Sequence, residues 1–290
     1  MSDQIGVAHV QQFKSNVIML SQQKGTRLRN AVRTEPDFLT GKSGYFERIG
    51  ATNMQRRTTR HGDTPLISTP HSRVRVTMDD FEWADLIDQQ DRVRMLIDPE
   101  SPYTQNAVMA AGREMDDIII GALGGNIVTM DEDDSATSAA LPSGQKIAHN
   151  STGFVKVKLI EARKKLLAAE AADPGDTLYC AINAACIEDL LNQTEVTSSD
   201  YNSVKALVEG QVDTWLGFKF IHTERLQTDG TNRLIYCWHP NGVGLAVGED
   251  VVTRISERDD KGYSTQVYLR MTMGATRIED EKVVEIAVVE

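Results

Sequence analysis

The residues that could perform catalysis or bind a metal are scattered along the chain. The six histidines never occur four residues apart with an acidic residue between them, which is the pattern of a helical zinc site. The acidic run at residues 131–134 lacks the glycine and glutamate that a calcium loop needs at its sixth and twelfth positions. Residues 41–43 resemble the end of a phosphate-binding loop, but its first glycine is missing. We therefore expect no catalytic site, no metal and no cofactor.

One group of residues could still act in catalysis. His222 and Glu224 lie two residues apart, and together with His239 they could serve a cytosolic hydrolase. A histidine beside a carboxylate at the end of a strand is more often a surface pair than a catalytic one. The sequence therefore favours a surface pair and leaves the hydrolase as a lesser alternative.

The cysteines and the apolar runs indicate where the chain resides. Cys180, Cys186 and Cys237 are odd in number and form no Cys-x-x-Cys pair, which predicts free thiols that pack as small core residues in a reducing compartment. The first twenty residues are too polar for a signal peptide, and no run approaches the roughly 18 apolar residues of a membrane span. Secretion and membrane insertion are therefore not expected.

The charge is divided unevenly along the 290 residues. Residues 1–78 carry 12 basic and 5 acidic side chains, a net charge of +7, whereas residues 79–290 carry 19 and 37, a net charge of −18. Such a division predicts an electrostatic partner for the first quarter of the chain. The net charge of −11 argues against a dedicated nucleic-acid-binding protein. We expect self-association, in which the basic part of one copy meets the acidic part of another.

Residues 45–77, here called the ribbon, show the least usual pattern. Residues 73–78 alternate apolar and polar side chains, which predicts a strand with one solvated face. Residues 61–65 have turn composition, with strands expected at 55–60 and 66–69 on either side. The predicted hairpin has too few bulky apolar residues to bury a core of its own (Tyr45, Phe46, Ile49, Met54, Leu66 and Ile67). Something else must therefore support it.

The rest of the chain mixes helices and strands, which indicates an α+β fold. Ser101 as N-cap and Pro102 at the first helical position predict a helix over residues 103–123, about 30 Å long, that ends at Gly124. Other helices are predicted at residues 11–21, 154–172, after Asn183 and after Ser199. Strands are predicted at 127–130, 146–149, 178–182, 218–222, 234–238, 251–255, 263–273 and 283–289.

This order of elements resembles the major capsid protein of tailed double-stranded DNA bacteriophages with the Hong Kong 97-like fold. The resemblance spans nearly the whole chain; each motif is weak alone, and their order carries the comparison. The residues that carry it are Arg75-Val76-Thr77-Met78-Asp79-Asp80-Phe81-Glu82-Trp83-Ala84, Asp98-Pro99-Glu100-Ser101-Pro102-Tyr103, Gly112-Arg113-Glu114-Met115-Asp116-Asp117, Gly217-Phe218, Arg254-Ile255-Ser256-Glu257-Arg258-Asp259-Asp260-Lys261 and Met273-Gly274-Ala275-Thr276-Arg277.

The resemblance implies a division of the chain. Residues 1–44 would form an N-terminal arm, and the ribbon would be the E-loop hairpin. Residues 78–150 and 249–290 would form a peripheral domain that contains the long spine helix. Residues 151–248 would form an axial domain that clusters around the vertices of a shell.

The resemblance also implies a function and its partners. The chain would be a structural protein, not an enzyme, that assembles as pentamers and hexamers into an icosahedral shell around a double-stranded DNA genome. The shell would form in the host cytoplasm, become part of the virion, and bind its DNA without sequence specificity and without a membrane. Portal, scaffolding and cement or decoration proteins are the implied partners. An encapsulin-type nanocompartment shell, which encloses protein cargo, is the nearest alternative.

The ribbon supplies the expected contacts between subunits. Because single exposed ion pairs contribute only about 0–1 kcal/mol, we expect the arginines to give steering and register while apolar residues hold the contact. The candidate contact residues are Phe46, Arg48, Ile49, Arg56, Arg57, Arg60, Arg73 and Arg75. Some members of the resembled family cross-link an E-loop lysine to a neighbour's asparagine, but no lysine lies between Lys42 and Lys146 here. We therefore expect no such cross-link.

Overall fold

A computed structural model describes residues 21–36, 43–60, 63–64, 66–88, 100–130, 135–173, 175–193 and 214–289. Within them, the helices are α1 (Glu100–Gly124), α2 (Lys156–Ala168) and α3 (Ala184–Leu191). The strands are β1 (Arg33–Pro36), β2 (Ser43–Ile49), β3 (His71–Thr77), β4 (Asp79–Ile87), β5 (Ile127–Met130), β6 (Ala136–Ala139), β7 (Lys146–Ile147), β8 (Leu178–Ile182), β9 (Thr214–Trp215), β10 (Phe218–His222), β11 (Thr228–Asp229), β12 (Asn232–Trp238), β13 (Val243–Arg258), β14 (Ser264–Arg277) and β15 (Val283–Val289).

The long helix α1 packs on a four-stranded sheet of order β1-β13-β14-β4. One face of the helix is apolar because its small and branched side chains recur every three or four residues. The buried residues of that face are Ala107, Ala111, Met115, Ile119, Ile120 and Leu123. The predicted helix is confirmed, but it begins at Glu100, so Ser101 lies inside it and is not the N-cap. Pro102 still falls in the first turn, where its missing N–H has no helical acceptor.

The carboxyl end of α1 is held by a buried arginine. Arg277, at the end of β14, is fully buried and donates hydrogen bonds to Leu123 O (2.9 Å) and Gly125 O (2.8 Å). The last carbonyls of a helix have no intrahelical donor and carry its negative dipole end, so a guanidinium there is favourable. Arg277 Nε also pairs with Asp280 at 2.6 Å, which compensates its buried charge.

The amino-terminal segment at residues 21–36 crosses α1 and ends as β1, which pairs in parallel with the start of β13. At its centre lies Asp116, a fully buried carboxylate of α1. It accepts hydrogen bonds from Gln23 Nε2 (2.5 Å), Thr26 Oγ1 (2.6 Å), Arg27 N (3.0 Å) and Leu28 N (3.1 Å). This arrangement fixes residues 23–28, here called the strap, to the long helix.

Two further contacts hold the same segment. At Gly112, one turn before Asp116, an added Cβ would lie 2.7 Å from the backbone of Gly25 and Thr26, so the strap approaches the helix closely there. Arg29 pairs with Asp250 of β13 at 2.7 Å, and the hydrogen bond from its guanidinium lowers the pKa of that carboxyl. The predicted N-terminal arm is thus, over its described part, a docked strand and strap.

A second sheet has the order β7-β15-β12-β8-β10-β9, with β11 paired to β12. Its strands are largely apolar on both faces because helices α2 and α3 and the rest of the core cover them. The Asn183 side chain accepts a hydrogen bond from Cys186 N (3.1 Å), which confirms the predicted N-cap of α3. Cys180, Cys186 and Cys237 are all buried and form no disulfide, as expected.

The third sheet, of order β2-β3-β5-β6, carries the ribbon. Its β2 and β3 pair antiparallel from Ser43–Thr77 to Ile49–His71, and β3 continues the sheet onto β5. The strands predicted at residues 55–60 and 66–69 are wrong, because no described residue there is in a strand. The strands form instead where alternate side chains, such as Val74 and Val76, are buried against the rest of the chain.

The expected division of the chain into domains stays a prediction, and one sheet contains strands from both of its parts. Strands β7 and β15, which the resemblance assigned to the peripheral domain, belong to the same sheet as β8, β10 and β12 of the expected axial domain. Strand β13 spans the expected boundary at residue 248, although its pairing with β14 shifts register between Val247 and Val252. The helices predicted at residues 11–21 and after Ser199 lie outside the described residues, apart from Ser21 itself, which is not helical.

Candidate assembly surface

The base of the ribbon is packed on its own chain. Phe46 is only 4% exposed and clusters with Val76, Met78, Ala246 and Ile278. Its ring lies over Gly244 of β13, where an added Cβ would come within 2.5 Å of the ring. This changes the expectation for Phe46: its side chain has almost no free surface for a neighbouring subunit and anchors the ribbon instead.

Two of the candidate arginines also have partners at the base. Arg48 is half-buried and donates to Ile278 O (2.9 Å) and Ser72 Oγ (3.2 Å). The Arg73 guanidinium lies 4.9 Å from the centre of the Tyr45 ring, within the range of a cation–π contact. Arg75 is half-buried on the same face of β3. These side chains stiffen the base, and their role between subunits stays a prediction.

The tip of the ribbon is the segment of residues 50–70, and its described residues have no core beneath them. Its neck is closed by the hydrogen bond from Gly50 N to Pro70 O (2.9 Å). Beyond the neck, Met54 is 99% exposed, Leu66 93% and Ile67 46%. Large apolar side chains at such exposure, grouped on one excursion, are typical of a surface that is covered by a partner.

The arginines of the tip are equally open. Arg56, Arg57 and Arg60 are exposed, and within the described residues none of them pairs with a carboxylate. Arg57 Nε donates only to Thr59 O at 2.9 Å, two residues away. Ile49, the last residue of β2 before the tip, is 69% exposed. Of the eight candidate contact residues, Ile49 and these three arginines offer free surface.

The residues of the hydrolase alternative are not assembled into one site. His222 Nε2 lies 2.9 Å from Glu224 Oε1, but His222 Nδ1 is faced by Arg27 at 3.0 Å. Glu224 also accepts from Ala184 N at 2.7 Å, so its side chain is bound to the amino end of α3. His239 instead faces Asp176 and the backbone of the turn that follows it. The pair serves to connect segments of the fold.

Helix α2 also carries exposed apolar side chains outside its predicted buried face. The sequence predicts that one face of this helix is formed by Val155, Leu159, Ala162, Leu166 and Ala169. Leu159, Ala162 and Leu166 are fully buried, whereas Val155 is half-buried and Ala169 is exposed. On the opposite side, Val157 is 69% exposed and Ile160 46%. The sequence could have indicated these exposed side chains, since Val157 and Ile160 do not belong to the buried face and the rest of the exposed surface of the helix is rich in charged residues.

Metal and membrane chemistry find no support in the described part of the chain. No group of three or more His, Cys, Asp or Glu side chains among those residues is arranged to hold a metal ion. No helix among them is both long and apolar enough to span a bilayer. The acidic run at residues 131–134 lies outside the described residues.

Comparisons with known proteins agree with this architecture. A family model described as "Phage capsid protein" matches residues 5–290. The capsid structure of the cyanophage P-SCSP1u is similar with a TM-score of 0.74 and 16% identity, over 98% of this chain and 94% of that one. The structure from Mycobacterium phage Che8 has a TM-score of 0.70 and 15% identity, over 94% of this chain and 95% of that one. The capsid of cyanophage Pam1 has a TM-score of 0.72 and 12% identity, over 98% of this chain and 97% of that one.

No curated protein matches the chain in sequence. These structural matches have at most 16% sequence identity to this chain, so they show the fold alone. That fold is the predicted Hong Kong 97-like α+β fold. The match to the family model covers nearly the whole chain. These findings favour neither the nanocompartment nor the hydrolase.

Proposed function

Since the chain belongs to the phage capsid protein family and is a major capsid protein of a virion shell, we propose that its copies build an icosahedral container for double-stranded DNA by laying the ribbon tip of each copy across a neighbour. The observation that carries this mechanism is the contrast within one ribbon. Its base is buried around Phe46, whereas Met54 and Leu66 at its tip are almost fully exposed. An excursion built this way is held in place by its own subunit and completed by another.

A shell needs contacts that tolerate more than one local curvature, because pentamers and hexamers place neighbours at different angles. A stiff base with an uncovered tip suits this requirement, since the tip can adjust while the subunit stays rigid. We propose that residues 151–238, with β15, form the axial part that meets at the vertices. The sheet behind α1 would then form the peripheral part.

The chain's role in this proposal is structural and not enzymatic. Its net charge of −11 suits a container that does not retain packaged DNA on its wall, so DNA would be bound without sequence specificity. A portal protein, a separate scaffolding protein and a cement or decoration protein would act with it. Assembly would take place in the host cytoplasm.

Electron microscopy of the purified protein tests this function. We expect closed particles of regular diameter after expression of the chain, alone or with a scaffolding protein from the same genome. Small oligomers only, under both conditions, would contradict the proposed container. Turnover of ester or peptide substrates by such oligomers, abolished by His222→Ala, would favour the hydrolase instead.

We expect shells of this protein to dissociate completely into single chains in hot detergent. The ribbon contains no lysine, so a lysine–asparagine link of the E-loop type has no amine to form it. Boiling in SDS and gel electrophoresis should therefore give one band at 32.1 kDa. A ladder of covalent multimers from reduced samples would show that another side chain performs the linkage.

A further inference from the structure

We propose that the ribbon tip of one copy docks on the open edge of β4 in a second copy, with Arg56, Arg57 and Arg60 facing the acidic side chains of residues 79–88. This inference rests on the proposed function and names the surface that receives the tip. The partner is therefore another copy of this chain, bound through one strand edge.

Within the described part of the chain, β4 is an edge strand of the sheet behind α1. Strand β4 pairs with β14 from Asp79–Met273 to Ile87–Thr265, and no described strand lies on its other side. An open edge offers main-chain N–H and C=O groups to an added extended segment. The tip is such a segment, since its described residues have no strand or helix of their own.

The charge of this edge is complementary to that of the tip. Residues 79–88 contain five acidic side chains and no basic one. Asp79, Asp80 and Glu82 are exposed, whereas Asp85 is half-buried. Residues 51–60 of the tip contain three arginines and no acidic residue.

The acidic side chains of β4 are bonded within the subunit to neutral groups. Glu82 accepts from Tyr268 Oη (2.9 Å), and Asp80 accepts from Thr272 Oγ1 (2.7 Å). No arginine or lysine among the described residues forms an ion pair with Asp79, Asp80 or Glu82. These hydroxyl donors orient the carboxylates and leave their negative charge available to a neighbour.

A second open edge on the same sheet fits less well. Strand β13 is paired with β1 over Gly244–Val247, and no described residue pairs with its distal part on that side. That part carries charges of both signs, which already pair within the subunit: Asp250 with Arg29, Glu249 with Arg270, and Arg258 with Asp260. Because the charge there is mixed and several of its members already form ion pairs, complementarity favours β4.

Apolar contacts are available at the same place. Leu86 of β4 is 42% exposed, and Ala84 beside it on the same face is also exposed. Met54 and Leu66 of the tip are the apolar side chains without cover. Docking would bury these groups together, while the ion pairs set the register of the tip along the strand.

A charge exchange tests the docking. We expect R56E/R57E/R60E to fold with wild-type melting and to lower the yield of particles by about tenfold or more, because it turns attraction into repulsion. D79R/D80R/E82R should have the same effect. Combining both triple substitutions in one chain should restore particles, since every contact then has its charges exchanged. The matched control combines R56E/R57E/R60E with E161R/E170R/E188R, three exposed acidic residues of the second sheet's domain, and should not restore them.

The outcomes separate this inference from the proposed function. Absence of particles from the wild-type chain, alone or with its scaffolding protein, contradicts the function itself. Wild-type particles together with normal assembly of R56E/R57E/R60E overturn the docking, as does failure of the combined exchange when each triple variant folds. Rescue by the control combination equally overturns it, because net charge alone would then explain the effect.

Chemical cross-linking identifies the docking surface directly, and it remains possible if D79R/D80R/E82R does not fold. Particles of Arg57→Lys can be treated with a zero-length carbodiimide, which joins an amine to a carboxylate in contact with it as an amide with loss of water. We expect mass spectrometry to find the introduced lysine linked to the tryptic peptide of residues 76–92. Links only to acidic residues outside 79–88 would overturn the docking.

Discussion

Replacing residues 51–69 with an Asn-Gly turn is expected to give a folded subunit that forms no closed shells. The replacement is compatible with the fold because Gly50 and Pro70 are already joined by a hydrogen bond of 2.9 Å at the neck of the ribbon. Asn-Gly favours the two-residue turns that connect antiparallel strands. The exposed side chains of the tip are lost, while the buried base around Phe46 is kept.

The measurement has two parts. Thermal melting of the unassembled variant should lie within a few degrees of wild type, because the removed side chains are exposed and bury little area. Electron microscopy and sedimentation should then show only free subunits or capsomers. A control variant that replaces Met54 and Leu66 with serine but keeps the length should assemble to an intermediate extent. Normal closed particles from the shortened chain would contradict the assignment of the tip as the contact between subunits.

The replaced segment must not include the buried base of the ribbon. Removal of residues 46–77, nearly the whole ribbon, would also remove Phe46, Val74 and Val76, which are buried in the subunit. Failure to assemble would then reflect a damaged fold. The shorter replacement removes only what the subunit itself does not use.

Several elements were predictable from sequence because their signals are local. Strands β5, β8, β10 and β15 have the predicted bounds, since each is a short apolar run between turn residues. Helix α1 was recognisable from its apolar periodicity and from Pro102. The order of these elements, together with the basic ribbon, was sufficient to indicate the fold.

The missing parts depend on contacts between distant positions. Strand β1 contains two charged residues and a proline, and it forms because the start of β13 provides a parallel partner. The division of the ribbon arginines into base and tip is of the same kind. Arg48 belongs to the base because it reaches the carbonyl of Ile278, 230 positions away. Nothing in residues 45–77 alone distinguishes Arg48 from Arg56.

Asp116→Ala is expected to destabilise the unassembled subunit strongly. The carboxylate is fully buried and accepts from a side-chain amide, a hydroxyl and two backbone amides. Its loss would leave the N–H groups of Arg27 and Leu28 without an acceptor beside the core. Because unsatisfied buried donors cost about 1–3 kcal/mol each, we expect the free energy of unfolding to fall by about 4 kcal/mol. For a domain of this size, that corresponds to a melting temperature roughly 10 °C lower.

The adjacent residue provides the matched control. Asp117 pairs with Arg225 at the surface, where the side chains of both are 34% exposed, so Asp117→Ala should cost about 1 kcal/mol or less. Asp116→Asn should fall between the two, since one amide oxygen can still accept from the strap. Calorimetry or circular dichroism of unassembled subunits measures all three. Equal melting of the Asp116→Ala and Asp117→Ala variants would show that the strap is not held by this carboxylate. Because the strap leads directly into β1, the expected loss extends to the pairing of β1 with β13 and so to the sheet whose β4 edge is proposed to receive the neighbouring ribbon.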